Sequence, residues 1–89
     1  MARKTNPPAV ITTGGYVEPA NITLRRNIVR LTDLWSEKTG NSLSEFHRRA
    51  GIGKSAFWYY RSGDRTPSMR VLTQMAGVLG LPVEVFFRR

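Results

Sequence analysis

The side chains best suited to chemistry in this sequence lie in one short stretch that combines hydrogen-bond donors with aromatic rings. Lys54 and Ser55 can donate hydrogen bonds, and Trp58 follows one helical turn later with Tyr59 beside it. Ammonium and hydroxyl groups bind phosphate oxygens and base edges, and aromatic rings pack on thymine methyl groups or sugars. The spacing therefore predicts a binding surface for a polyanion or for another protein.

Catalysis is the competing chemistry, and it rests on His47, the single histidine. Serine and aspartate are also present, but no nucleophile elbow or oxyanion loop accompanies them. The chain has no cysteine, which excludes a disulfide framework, a zinc finger and a thiol nucleophile. One histidine also excludes a multi-histidine metal site. We therefore expect a packed histidine, no enzymatic activity, no cofactor, no metal and no small-molecule substrate.

Composition favours a polyanionic partner. The 89 residues contain 14 Lys and Arg against 6 Asp and Glu, a net charge of +8, and arginine dominates the basic residues. Arginine matches phosphates and base edges better than lysine does. The length supports one small domain. No secretion signal is visible, and no apolar segment approaches the about 20 residues of a membrane span. The sequence thus predicts a soluble cytoplasmic protein without a membrane partner.

The chain is predicted to divide near residue 20. Residues 1–20 contain three prolines and lack helical periodicity, so we expect a flexible basic N-terminal arm that is largely extended. Within it, residues 9–13 could form a short strand if another segment pairs with them. Arg3 and Lys4 either contact DNA, as basic arms do in minor grooves, or form a disordered basic end.

Residues 21–89 have the pattern of an all-α domain with five helices and short connections. In the first helix, Asn21 or Thr23 is expected to cap the start, and Gly40 follows the last turn. Its apolar side chains recur at the spacing of one helical face. The residues expected to face the core are Leu24, Ile28, Leu31 and Trp35.

A tight turn is predicted to join the second and third helices. Ser42 and Glu45 have the spacing of a capping box at the start of the second helix, and Gly51 ends it. Ile52 fills the gap between the two helices, because it is the single apolar residue of the turn. The third helix is predicted to run from Lys54 to about Arg61, with two aromatic residues facing inward, Phe57 and Tyr60.

The last part of the chain is predicted to form two more helices. Thr66 is a candidate cap for the fourth helix, with Pro67 in its first turn. A short fifth helix follows over residues 83–87, where one phenylalanine is expected in the core and the other outside. An exposed aromatic here would suit the seam of a homodimer, for which the candidates are Val83, Phe86 and Phe87.

These motifs together resemble the lambda-repressor-like, or Cro-type, helix-turn-helix family. The likeness starts from LSEFHRRAGIGKSAFWYYRSG at 43–63 and continues through GDRTPS at 63–68 and PVEVF at 82–86. It covers roughly residues 24–87. The resemblance implies a five-helix DNA-binding domain whose second helix of the motif lies in the major groove. It further implies a homodimeric, sequence-specific regulator of transcription, a repressor of bacterial or phage type.

The resemblance also implies which residues contact double-stranded DNA. The start of the third helix meets base edges, its aromatic residues lie on the same outward face, and the loop after it approaches the backbone. The start of the second helix abuts a phosphate. The residues implied are Ser42, Gly53, Lys54, Ser55, Trp58, Tyr59, Arg61, Ser62 and Arg65, with Arg3 and Lys4 of the arm.

The sequence departs from the family pattern in three respects. Leu43 stands where a glutamine is common, which removes one side-chain contact with DNA. His47 stands where the family places a small alanine, which implies a wider packing angle or a ring displaced outward. Trp58 and Tyr59 are bulkier than usual at the groove surface. The remaining arginines of the helices are expected to be solvated: Arg25, Arg26, Arg30, Arg48 and Arg49.

Two other functions remain compatible with the same residues. An interaction module of antitoxin or anti-repressor type would use Trp58 and Tyr59, or the Phe87 end, to bind another protein. A nucleoid-type protein would bind DNA without sequence preference. Substitution of Lys54 and Ser55 distinguishes the first from a DNA reader, because only the reader would lose sequence preference.

Overall fold

The computed structural model describes residues 9–11 and 17–89, with side chains from residue 22 onward. The strand expected near residue 9 is present as β1 (Ala9–Ile11), and its partner is β2 (Val17–Pro19). The two strands are antiparallel, with Ala9 opposite Pro19 and Ile11 opposite Val17. Arg3 and Lys4 lie outside the described residues, so the predicted DNA contacts of the arm stay predictions.

The chain is helical from residue 20 onward, as the all-α prediction requires. Four α-helices follow one another with short connections, and a 3₁₀ helix takes the place of the predicted fifth one. The last helix is 3₁₀ because its five residues close with i→i+3 bonds such as Val85 N to Pro82 O, 3.1 Å. Within the described residues, no helix is long and apolar enough to cross a membrane. The helices are α1 (Ala20–Thr39), α2 (Leu43–Ala50), α3 (Lys54–Ser62), α4 (Met69–Leu79) and the 3₁₀ helix (Val83–Phe87).

Two helix starts differ from the sequence prediction. The first helix begins at Ala20, directly after β2, so Asn21 and Thr23 lie inside the helix and not at the capping position before it. The fourth helix is capped by Ser68, whose Oγ accepts from Val71 N at 3.2 Å. Ser68 displaces the predicted Thr66 because its hydroxyl reaches an orphan amide of the first turn. Pro67 therefore precedes the cap and is buried.

The predicted apolar faces meet in one core. Aromatic rings form its centre, with Phe46 5.1 Å from Trp35 and 5.6 Å from Phe57, centroid to centroid. Helix α1 crosses this cluster and packs on α2, α3, α4 and the 3₁₀ helix. The buried apolar residues are Leu24, Ile28, Leu31, Trp35, Phe46, Ala50, Ile52, Phe57, Leu72, Met75, Ala76 and Phe86.

The 3₁₀ helix is fixed to α1 by a polar clasp. The buried amide of Asn27 donates from Nδ2 to the carbonyl oxygens of Phe86, at 2.9 Å, and Arg88. The Phe86 ring is completely buried, so it belongs to the core and not to the predicted dimer seam. Phe87 lies outside and is 45% exposed, which leaves it as the aromatic candidate for that seam.

Candidate nucleic-acid interface

The turn between α2 and α3 is short and is closed by backbone hydrogen bonds. Gly51 adopts φ 73°, the left-handed conformation that a side chain would strain, and its N–H donates to Arg48 O at 3.1 Å. Ile52 N donates to His47 O at 2.9 Å, and the Ile52 side chain is buried between the helices. The turn therefore holds α3 in a fixed orientation on α2.

His47 reinforces that turn. Its Nδ1 lies 3.0 Å from Ile52 O, and its ring packs 5.7 Å from the Phe57 ring. Donation from Nδ1–H to the carbonyl satisfies both groups, as expected of a packed histidine. The ring is half-buried at the edge of the core, which is how a side chain larger than alanine is accommodated here.

The outward face of α3 brings together several of the residues predicted to contact DNA. Lys54, Ser55 and Ser62 are exposed, and Trp58 and Tyr59 are 39% and 40% exposed, respectively. Gly53 is the N-cap and supplies no side-chain hydrogen bond to the first turn. The amides of that turn are thus free of a capping side chain, a geometry suited to an anionic or carbonyl acceptor.

Each exposed ring of this face is paired with an arginine. The guanidinium carbon of Arg65 lies 4.6 Å from the Tyr59 ring centroid, and that of Arg61 lies 5.4 Å from the Trp58 ring centroid. Cation–π contacts hold such rings in place and bring positive charge to an apolar surface. The face of α3 is therefore both cationic and aromatic.

Arg61 was predicted to contact a DNA phosphate, but in the structure its guanidinium is bonded to groups of the protein itself. Its Nη1 donates to Thr32 Oγ1 at 2.7 Å and pairs with Asp33 Oδ1 at 3.0 Å, and its side chain is 15% exposed. Thr32 is fully buried and itself donates to Ile28 O. Arg61 therefore anchors α3 to α1. The sequence interpretation assigned Arg61 to DNA contact and did not find this pair.

At the start of α2 the predicted capping box is half formed. Ser42 Oγ accepts from Glu45 N at 3.1 Å, which caps the helix. The Glu45 carboxylate instead accepts from Arg48 Nη1 at 2.6 Å and Arg49 Nε at 2.9 Å. The hydrogen bond from Arg49, with the nearby charge of Arg48, lowers the pKa of Glu45 from its ordinary value. Ser42 remains exposed, beside an α2 surface on which one carboxylate is shared by two arginines.

The sequence interpretation also missed Arg25, which it expected to be solvated. Arg25 is exposed, yet its Nη1 donates to Ser62 O at 3.3 Å, at the C-terminus of α3. The residues are 37 positions apart, so local spacing carries no signal of this contact. Gly63 leaves room for the Arg25 side chain, since a Cβ there would lie 2.6 Å from Arg25 Cδ.

No family model, curated protein or solved structure matches this chain. The likeness to lambda-repressor-like proteins therefore stays a prediction that rests on the residues quoted above. Within the described part of the chain, no group of three or more His, Cys, Asp and Glu side chains could hold a metal ion.

Proposed function

We propose that this protein is a sequence-specific double-stranded DNA-binding regulator of transcription with a lambda-repressor-like fold, a repressor of bacterial or phage type. The observation that carries the proposal is the exposed face of α3, on which Lys54, Ser55, Trp58 and Tyr59 lie together. A glycine turn in the left-handed conformation presents this helix, and α2 and α1 support it from behind.

In the proposed mode, α3 enters the major groove by its N-terminus. Lys54 donates to guanine O6 and N7, and Ser55 donates to or accepts from a base edge. Trp58 and Tyr59 pack on thymine methyl groups or sugars. The net charge of +8 adds attraction to phosphates, so affinity should fall steeply as salt rises and counterions compete.

The proposal includes a homodimer on a two-fold symmetric operator. Its support is the exposed apolar end of the domain, where Phe87 is 45% and Leu81 42% exposed. Val83, also predicted for the seam, is half-buried beside them. Two such ends packed together would remove apolar surface from water and place two copies of α3 on successive turns of the duplex.

Selection from a random duplex library at near-physiological salt tests the function. We expect enrichment of an inverted repeat whose half-sites lie about 34–36 Å apart, or a multiple of that. A variant carrying Lys54→Ala and Ser55→Ala should keep bulk binding and lose the sequence preference. The control is Lys38→Ala on α1, which removes the same charge away from α3. Bulk binding by wild type without enrichment would contradict the proposal.

The second candidate is a protein-interaction module of antitoxin or anti-repressor type. It is favoured by the exposure of two neighbouring large aromatics, Trp58 and Tyr59. Such a module would lose its partner when Trp58 is replaced by Ala and would keep it when Lys54 is replaced. Two results together would favour this candidate. The wild-type protein would enrich no duplex sequence, and it would bind DNA no more tightly than the variant with Lys54→Ala and Ser55→Ala.

A further inference from the structure

Beyond the face of α3, a cavity opens where α1 meets the connection between α3 and α4. It has a volume of about 190 Å³. Its lining includes two guanidinium groups, Arg25 and Arg65, and two hydroxyl groups, Ser62 and Thr66, but no acidic residue. An acceptor with several oxygens and a negative charge is the ligand that such a donor set fits.

Both arginines are held in place at this cavity. Arg25 donates one N–H to Ser62 O, at the negative end of the α3 dipole, and its aliphatic part crosses Gly63. Arg65 stacks on Tyr59, 4.6 Å from the ring centroid. A guanidinium has five N–H donors, so Arg25 keeps four beyond the one that Ser62 accepts. The two cations are thus pre-positioned at one opening.

We propose that this cavity binds a phosphate of the DNA backbone and that Arg25 is a DNA-contacting residue alongside Arg65. The inference deepens the proposed function and rests on its DNA-binding part, though not on sequence preference. Arg25 lies on α1, outside the helix-turn-helix, and the cavity adjoins the C-terminal end of α3. A phosphate held there would fix the depth at which α3 sits in the groove, because phosphate contacts set register and orientation.

The test measures the salt dependence of duplex binding by the full chain. Arg25→Gln should weaken binding about tenfold at low salt, because one charge-assisted contact is lost. It should also reduce the slope of log K against log salt by about 0.9, the contribution of one neutralised phosphate. Arg25→Lys keeps the charge and should retain the wild-type slope with an intermediate affinity.

The matched control is Lys38→Gln on the same helix. Lys38 is exposed and does not line the cavity, and the substitution removes the same unit of charge. We expect its slope to equal that of wild type. A random-sequence duplex is a sufficient probe, because a phosphate contact does not depend on base identity. The inference and the sequence-specific function can therefore fail separately.

Three outcomes would overturn the inference. In the first, Arg25→Gln and Lys38→Gln change the slope equally. In the second, Arg25→Gln lowers the melting temperature without changing the slope, which would make Arg25 only a cap of α3. In the third, inorganic phosphate raises the wild-type melting temperature, Arg25→Gln abolishes that effect, and the DNA slope stays unchanged, which would assign the cavity to a free anion. A chain that does not bind duplex DNA would overturn the proposed function and this inference together.

Discussion

Arg61 and Arg65 lie about one helical turn apart in the sequence and have opposite environments in the fold. Arg61 points inward, where Thr32 and Asp33 accept from it. Arg65 remains exposed on the Tyr59 ring. The sequence interpretation assigned both to the DNA backbone, because each is an arginine at or just after the end of the predicted third helix. Only the packing of α1 on α3 separates the anchoring arginine from the exposed one that we propose to contact DNA.

This difference predicts opposite effects of the two alanine substitutions. Arg61→Ala should lower the free energy of unfolding by about 1–3 kcal/mol, since it leaves Asp33 and the buried Thr32 hydroxyl without this donor. Arg65→Ala should change it by less than about 0.5 kcal/mol, as at most exposed sites, while weakening duplex binding. Urea denaturation followed by circular dichroism measures the first quantity. Equal stabilities of the two variants would contradict the anchoring role of Arg61.

At the scale of helices, the helix ends that the sequence predicted correctly are those fixed by residues close to them in the chain. Gly51 ends α2 at positive φ, and Ser42 caps its start, as predicted. The start of α4 was wrong because Thr66 and Ser68 are both suitable caps, and the position of buried Pro67 decides between them. The start of α1 depends on β2, whose pairing with β1 the sequence only suggested.

The cap of α4 leads to a prediction with an internal control. Ser68→Ala should lower the free energy of unfolding by about 1 kcal/mol, because the Val71 amide loses its acceptor. Thr66→Ala should have little effect on stability, since Thr66 is exposed and does not cap the helix. Chemical denaturation of both variants checks the assignment. A larger loss for Thr66→Ala would restore the cap predicted from the sequence.

Two glycines of neighbouring helices predict opposite responses to alanine. Gly63→Ala should destabilise the fold by about 1–2 kcal/mol, because φ is +88° and the new Cβ would lie 2.6 Å from Arg25 Cδ. Gly77→Ala, inside α4, meets nothing within 4 Å and should stabilise by about 0.5–1 kcal/mol. Thermal melts of the two variants measure the difference. Destabilisation by Gly77→Ala would show that α4 needs a glycine for another reason.

At the scale of the whole molecule, two of the described acidic residues form ion pairs with particular arginines. Glu45 pairs with Arg48 and Arg49, and Asp33 pairs with Arg61. The positive charge left without these partners includes Lys54 and Arg65 near α3. The sequence predicted the sign of the charge, the helical faces and most of the core. It did not predict the pairs that join distant residues, because periodicity describes each helix separately.

The proposed homodimer predicts cooperative binding to an inverted repeat. Phe87→Ser should weaken the binding of the second copy about tenfold, because a centrally packed aromatic contributes strongly to an interface. Met69→Ser is the control, since Met69 is 57% exposed at the start of α4, away from the proposed seam. Titration of a two-half-site duplex against a single half-site measures the cooperativity. Equal behaviour of the two variants would place the dimer contact elsewhere.

The Asn27 clasp determines the order in which the domain can assemble. It joins Asn27 of α1 to Phe86 and Arg88, which lie 59 and 61 positions further along the chain. The hydrogen bonds within each helix, by contrast, join residues close in sequence. Closing so long a loop costs more chain entropy than forming a helical turn, and contacts between distant residues form slowly. We therefore expect the helices to appear early in refolding and the burial of Phe86 to come last. Asn27→Ala should then accelerate unfolding much more than it slows folding.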